Sequence, residues 1–97
     1  MPAYERAELS AELTVVTSAN AAKPPQAQLK ATKAAASETY LARESGPETI
    51  VLAGGREEVL EGVRWVVDAA LDAGARSVRV EIEVQGDAPR FDGEERS

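Results

Sequence analysis

A chain of 97 residues with 43% hydrophobic and 4% aromatic content has the length of one small domain that buries a core without disulfides or a structural metal. So few aromatics argue against a deep aromatic-lined pocket. Seventeen acidic against 11 basic residues give a formal charge of -6, which repels nucleic-acid backbones and anionic lipid surfaces. The absence of cysteine and histidine removes thiol nucleophiles, disulfides, the usual zinc and copper ligands and the side chain best suited to proton transfer near neutral pH. No catalytic set, metal or cofactor is expected. The opening residues Met1 to Glu8 show no basic region followed by an apolar stretch, and no later segment reaches membrane-spanning length, so a soluble, cytoplasmic protein is expected.

From Ala7 to Val15 the odd positions are apolar and Glu8, Ser10, Glu12 and Thr14 between them are polar. This period of two marks a strand with one buried and one open face. Thr17 to Pro25 reads as a loop, with Pro25 placed for the first turn of a helix. Gln26 to Ala36 favours that helix through Ala, Gln, Leu and Lys, although its apolar face is thin and Leu29 is its one large member. Lys23, Lys30 and Lys33 make the segment locally basic, as a solvated face.

Ser37 to Ser45 admits two readings. Local propensity extends the helix to the Gly46-Pro47 stop. Topology favours a strand, because Glu38 to Arg43 can pair with Glu48 to Ala53 and complete a β-α-β-β-α-β order, and the strand is the expectation adopted. Ile50 to Ala53 is apolar on both faces, as in a central strand whose second face is also covered or paired. This hints at an oligomer. Gly54-Gly55 then opens a helix with Glu57 and Glu58 in its first turn. The two acids suit the helix dipole and oppose a phosphate, so the glycines read as a turn.

On the helix Arg56 to Ala73, the residues Val59, Leu60, Val63, Val66, Val67, Ala70 and Leu71 share a broad apolar face. Trp65 falls opposite, with Glu58, Glu61, Asp68 and Asp72. A lone tryptophan in an acidic stripe is partly exposed, lies under the Pro89-Arg90-Phe91 segment, or is buried in a subunit contact. Trp65, Glu61 and Asp68 are therefore the candidate interface residues. Gly74 sits where a left-handed cap belongs, and Ser77 to Val84 is the cleanest alternating strand in the chain. Residues 87–97 read as a polar tail after a single domain over 1–86.

Several of these segments together resemble the small thiamine-binding-protein family. They are Ala11-Glu12-Leu13-Thr14-Val15-Val16 as first strand, the Tyr40 to Gly55 hairpin ending in Thr49-Ile50-Val51, and the helix start Glu57-Glu58-Val59-Leu60. Gly74-Ala75-Arg76-Ser77-Val78, leading into Val80-Glu81-Ile82-Glu83-Val84, completes the set. The resemblance implies a two-layer α+β, ferredoxin-like sandwich with a four-stranded antiparallel sheet and two helices on one face. It also implies a homo-oligomer, dimer or tetramer, and a non-enzymatic role in binding a thiamine-related ligand.

In that strand order the first and last strands are neighbours, and Glu8, Glu12, Glu81 and Glu83 lie on the open face. Residues two apart on a strand sit about 6.5 to 7 Å from each other. Such a face holds a cation, with Tyr40 as an aromatic contributor, or else serves as a solvated or subunit-facing surface in which Arg79 neutralises the acids. Glycoside hydrolysis by paired carboxylates needs a deep cleft, which a two-layer domain this small is not expected to provide. The two functional expectations are therefore a small-ligand-binding protein and a protein-interaction module.

Overall fold

A computed structural model describes residues 7–43 and 46–85. The tail 87–97, including Pro89-Arg90-Phe91, lies outside them. Five elements follow in order: strand β1 (Leu9–Val16), helix α1 (Pro25–Glu38), strand β2 (Thr49–Gly54), helix α2 (Arg56–Asp72) and strand β3 (Ser77–Val84). The strands form one antiparallel sheet in the order β2-β1-β3. Alternation in β1 buries Ala11, Leu13 and Val15 on one face, and Ala11 and Leu13 join Ile50 and Leu52 of β2 and Val59 and Val66 of α2 in the core. Leu13, Ile50 and Leu52 are buried, and each such side chain contributes roughly 1.5–3 kcal/mol.

The expected fourth strand over Glu38 to Arg43 does not form, so among the described residues the sheet has three strands. Helix α1 continues through Glu38, and Thr39 caps it by donating its backbone N–H and its hydroxyl to the Ala36 carbonyl. Tyr40 then turns with φ 62°, the left-handed conformation that commonly ends a helix. Only the residues next to Ala42 remain to meet β2. They make one isolated bridge, Ala42 to Leu52, with Arg43 N–H donating to Val51 O and Ala53 N–H to Leu41 O. The β-α-β-β-α-β order survives with its second strand shortened to that bridge, and β2 is still flanked on both sides.

The thin apolar face of α1 has a polar solution. Gln28 and Thr32 are fully buried, and Leu29 is only half-buried. The Gln28 side chain accepts from Ser18 N–H at 2.9 Å and donates to Ser18 O and Lys23 O, both at 2.8 Å, tying the β1–α1 loop to the helix. Burial of a polar side chain costs little when its hydrogen bonds are made. Alanines 35 and 36 complete the inward face.

Helix α2 is rotated from the orientation its hydrophobic pattern suggests. Val59, Gly62, Val66 and Ala70 are buried, Val63 and Val67 are half-buried, and Leu60 and Leu71 are exposed at 44% and 54%. The reason is Gly62: a Cβ there would lie 3.2 Å from Leu52 Cδ1 and 3.3 Å from Leu41 Cδ1, so the missing side chain admits close packing. The helix ends where Gly74 takes φ 103° and donates to Leu71 O while Ala75 donates to Ala70 O, the paired bonds of a glycine-capped terminus. No helix among the described residues is long and apolar enough to cross a membrane.

Candidate functional site

Two acidic surfaces result from this packing. The first is the open sheet face. The register sets Glu12 directly opposite Glu81, Ser10 opposite Glu83 and Thr14 opposite Arg79, with Val51 on the other side of Glu12. Ser10, Glu12, Val51, Glu81 and Glu83 line a depression of about 220 Å³. Three of the four sequence-derived carboxylates thus come together. Glu8 is engaged elsewhere: its Oε1 accepts the Arg56 N–H at 2.9 Å, satisfying a first-turn amide of α2 for which Gly55 at the cap has no side chain. Tyr40 is 90% exposed and lines neither acidic surface. Among the described residues no group of three acids is placed to hold a metal ion.

The second surface is a groove of about 410 Å³ between the C-terminal end of α1 and the outer side of α2. It is lined by Glu38, Thr39, Leu41, Glu58, Glu61, Gly62, Arg64 and Trp65. Leu41 and the bare backbone of Gly62 make the floor, and Trp65, 53% exposed, makes a wall. The indole N–H donates to Glu38 Oε1 at 3.3 Å, which orients the ring while about half of the residue stays open to solvent. Glu61 and Trp65, placed together by sequence, meet here. Asp68 is exposed on α2 and does not line the groove.

Electrostatics distinguish the groove from ordinary solvated acids. Three carboxylates face one guanidinium in its lining, an excess of two negative charges. Helix α1 points its negative dipole end at the same place and carries no basic residue in its last turn. An apolar floor, an aromatic wall and a negative rim favour a cation with a flat or methylated apolar body. Sequence reasoning placed Trp65 and Glu61 on this side of α2 but missed Glu38, Thr39 and Leu41, because the expected strand carried them elsewhere. A glycine in the middle of helix α2 was the available signal, since it marks close approach of another element.

Neither a family model nor a curated protein matches the chain. Among solved structures, a domain of unknown function, DUF77, from Bacillus cereus superposes with a TM-score of 0.63 at 21% identity, covering 84% of this chain and 77% of that one. An acylphosphatase from Coxiella burnetii superposes with a TM-score of 0.53 at 19% identity, covering 99% of this chain and all of that one. At these identities the likeness is one of fold, and it identifies the architecture as ferredoxin-like α+β.

Proposed function

We propose that this protein is a non-enzymatic binding protein for a small organic cation, held in the groove between α1 and α2. The observation that carries the proposal is the half-exposed Trp65, oriented by Glu38 in a groove whose rim has two more carboxylates than cations. A cation stacked on an indole gains about 0.5–2 kcal/mol, and nearby carboxylates add attraction that salt weakens. The resemblance of the strand and helix starts to thiamine-binding proteins supports a thiazolium-bearing molecule as the first ligand to test.

Calorimetric titration with thiamine, its pyrimidine fragment and tetramethylammonium, alongside quenching of Trp65 fluorescence, tests the proposal. Expected are binding of the cations, weaker binding of the uncharged fragment, and loss of affinity as salt rises. Absence of binding at millimolar thiamine and tetramethylammonium, or binding that is equally tight in Trp65→Ala, would sink it. The exposed indole also supports a second reading, in which a protein surface covers Trp65. There, Trp65→Ala changes the mass seen by light scattering and no small cation binds.

A further inference from the structure

Strand β3 is the outer strand of the sheet, and among the described residues only β1 pairs with it. Gln85 continues that pairing, its N–H donating to Glu8 O at 2.9 Å. In an antiparallel ladder a residue's N–H and C=O point the same way and the direction alternates. Arg79, Glu81 and Glu83 therefore direct their backbone groups toward β1, and Val80, Ile82 and Val84 direct theirs away from it. The side chains of this second set stand on the helix side, opposite Leu13, Ala11 and Leu9, where Val80 and Ile82 are 40% and 42% exposed. Helix α2 leaves the space above them open. Its Gly62 flank approaches Leu52 and Leu41 on the β2 side; at about 3.6 residues per turn, the exposed Leu60 and the half-buried Val63 and Val67 fall on the opposite flank, toward β3. An unpaired backbone edge thus borders an apolar trough, and SVRVEIEV contains no proline, glycine or lysine to blunt it.

We infer that residues 87–92 of the same chain, DAPRFD, occupy this edge as an antiparallel strand. They follow directly on Gln85, at the end of the trough beside Val84, and Gly86 stands where a type II turn over Val84 to Asp87 takes a positive φ. That turn sets Ile82 opposite Pro89, Glu81 opposite Arg90, Val80 opposite Phe91 and Arg79 opposite Asp92. Pro89 and Phe91, the one phenylalanine of the chain, then face the trough, while Arg90 and Asp92 each meet an opposite charge on the open face. Both charge pairs occupy non-hydrogen-bonded positions, where opposed side chains are closest. A shift of one residue sends Arg90 into the trough and Phe91 to the open face. A turn longer by two residues sets Glu81 against Asp92. Pro89 has no N–H and leaves the Ile82 carbonyl to water, but the Ile82 and Val80 N–H groups gain Pro89 O and Phe91 O as acceptors. Trp65 lies on the other flank of α2, so the segment blunts the edge without entering the groove.

Amide hydrogen exchange and disulfide trapping in the full chain test the inference. In the wild type the Val80 and Ile82 amides are expected to exchange about tenfold or more slowly than in Phe91→Ala, which empties the trough, or in Arg90→Glu, which sets like charges at Glu81. Adding Glu81→Arg to Arg90→Glu restores an opposite pair and the protection. In the cysteine-free chain, Glu81→Cys with Arg90→Cys should close an intramolecular disulfide under mild oxidation, because Cα atoms of a non-hydrogen-bonded pair lie about 4.5 Å apart. Glu81→Cys with Phe91→Cys directs the thiols to opposite faces and should close about tenfold or more slowly. Unprotected Val80 and Ile82 amides in the wild type overturn the proposal, as do equal closure rates for the two cysteine pairs or a double charge reversal that stays unprotected. Protection that weakens on dilution as the mass in light scattering falls assigns the edge to a second copy and overturns it as well. Trp65→Ala should leave these amides unchanged, so a failure of cation binding and a failure of this contact are read separately.

Discussion

The open sheet face and the Trp65 groove each gather three carboxylates and one arginine, yet they are not chemically equivalent. On the sheet, Glu12, Glu81 and Glu83 stand with Arg79 around Ser10, Thr14 and Val51, with no aromatic side chain in the lining. In the groove, Glu38, Glu58 and Glu61 surround an indole, a leucine and a patch of bare backbone, and a helix terminus adds its own negative potential. Charge density alone attracts any counterion and retains none. A site that distinguishes an organic cation from sodium needs apolar surface to desolvate the body of the ligand, and only the groove supplies it.

The most damaging change should be Gly62→Val, which pushes methyl groups into Leu52 and Leu41 and fills the groove floor. A loss of about 2 kcal/mol is expected in urea unfolding, after the gain in helix propensity is subtracted, together with loss of ligand binding. Trp65→Ala should leave unfolding nearly unchanged, because the ring is half-exposed, while weakening cation binding about tenfold to thirtyfold in calorimetry. Glu38→Gln keeps an oxygen for the indole N–H and removes one charge. A loss of threefold to fivefold, roughly 1 kcal/mol, is expected at low salt and should shrink as salt rises. The smallest effect is Glu12→Gln: it should leave cation binding untouched and raise stability by about 0.3 kcal/mol, because it relieves the carboxylate directly opposite at Glu81. Equal sensitivity of ligand binding to Glu12→Gln and Glu38→Gln would erase the distinction between the two surfaces.

Alternation made β1 and β3 readable from sequence almost residue by residue, and the Gly54-Gly55 turn and Gly74 cap were legible from glycine placement. The sheet face followed, because period and strand order fix which residues point together. The groove was less accessible. Its α1 half depends on where the helix stops, and a tyrosine rather than a glycine takes the left-handed position after Thr39. Its floor depends on how closely α2 approaches Leu41 and Leu52, a tertiary distance signalled by Gly62 alone. Gln28 and Thr32 were hidden for a related reason: polar residues on a helix read as solvated, unless a loop carbonyl is known to be waiting for them.

The Gln28 clamp has a consequence for the motions of the molecule. Ser18 belongs to a loop, where an amide proton ordinarily exchanges with solvent at nearly the rate of an unstructured peptide. Here that N–H is held by a side-chain oxygen with no solvent exposure, and the same side chain grips Ser18 O and Lys23 O. The loop cannot release its proton unless the helix bearing Gln28 lifts from the sheet. The Ser18 amide therefore keeps the time of α1 undocking rather than of loop fluctuation, and its exchange rate is a single-proton clock for the opening of the layer that forms one wall of the groove.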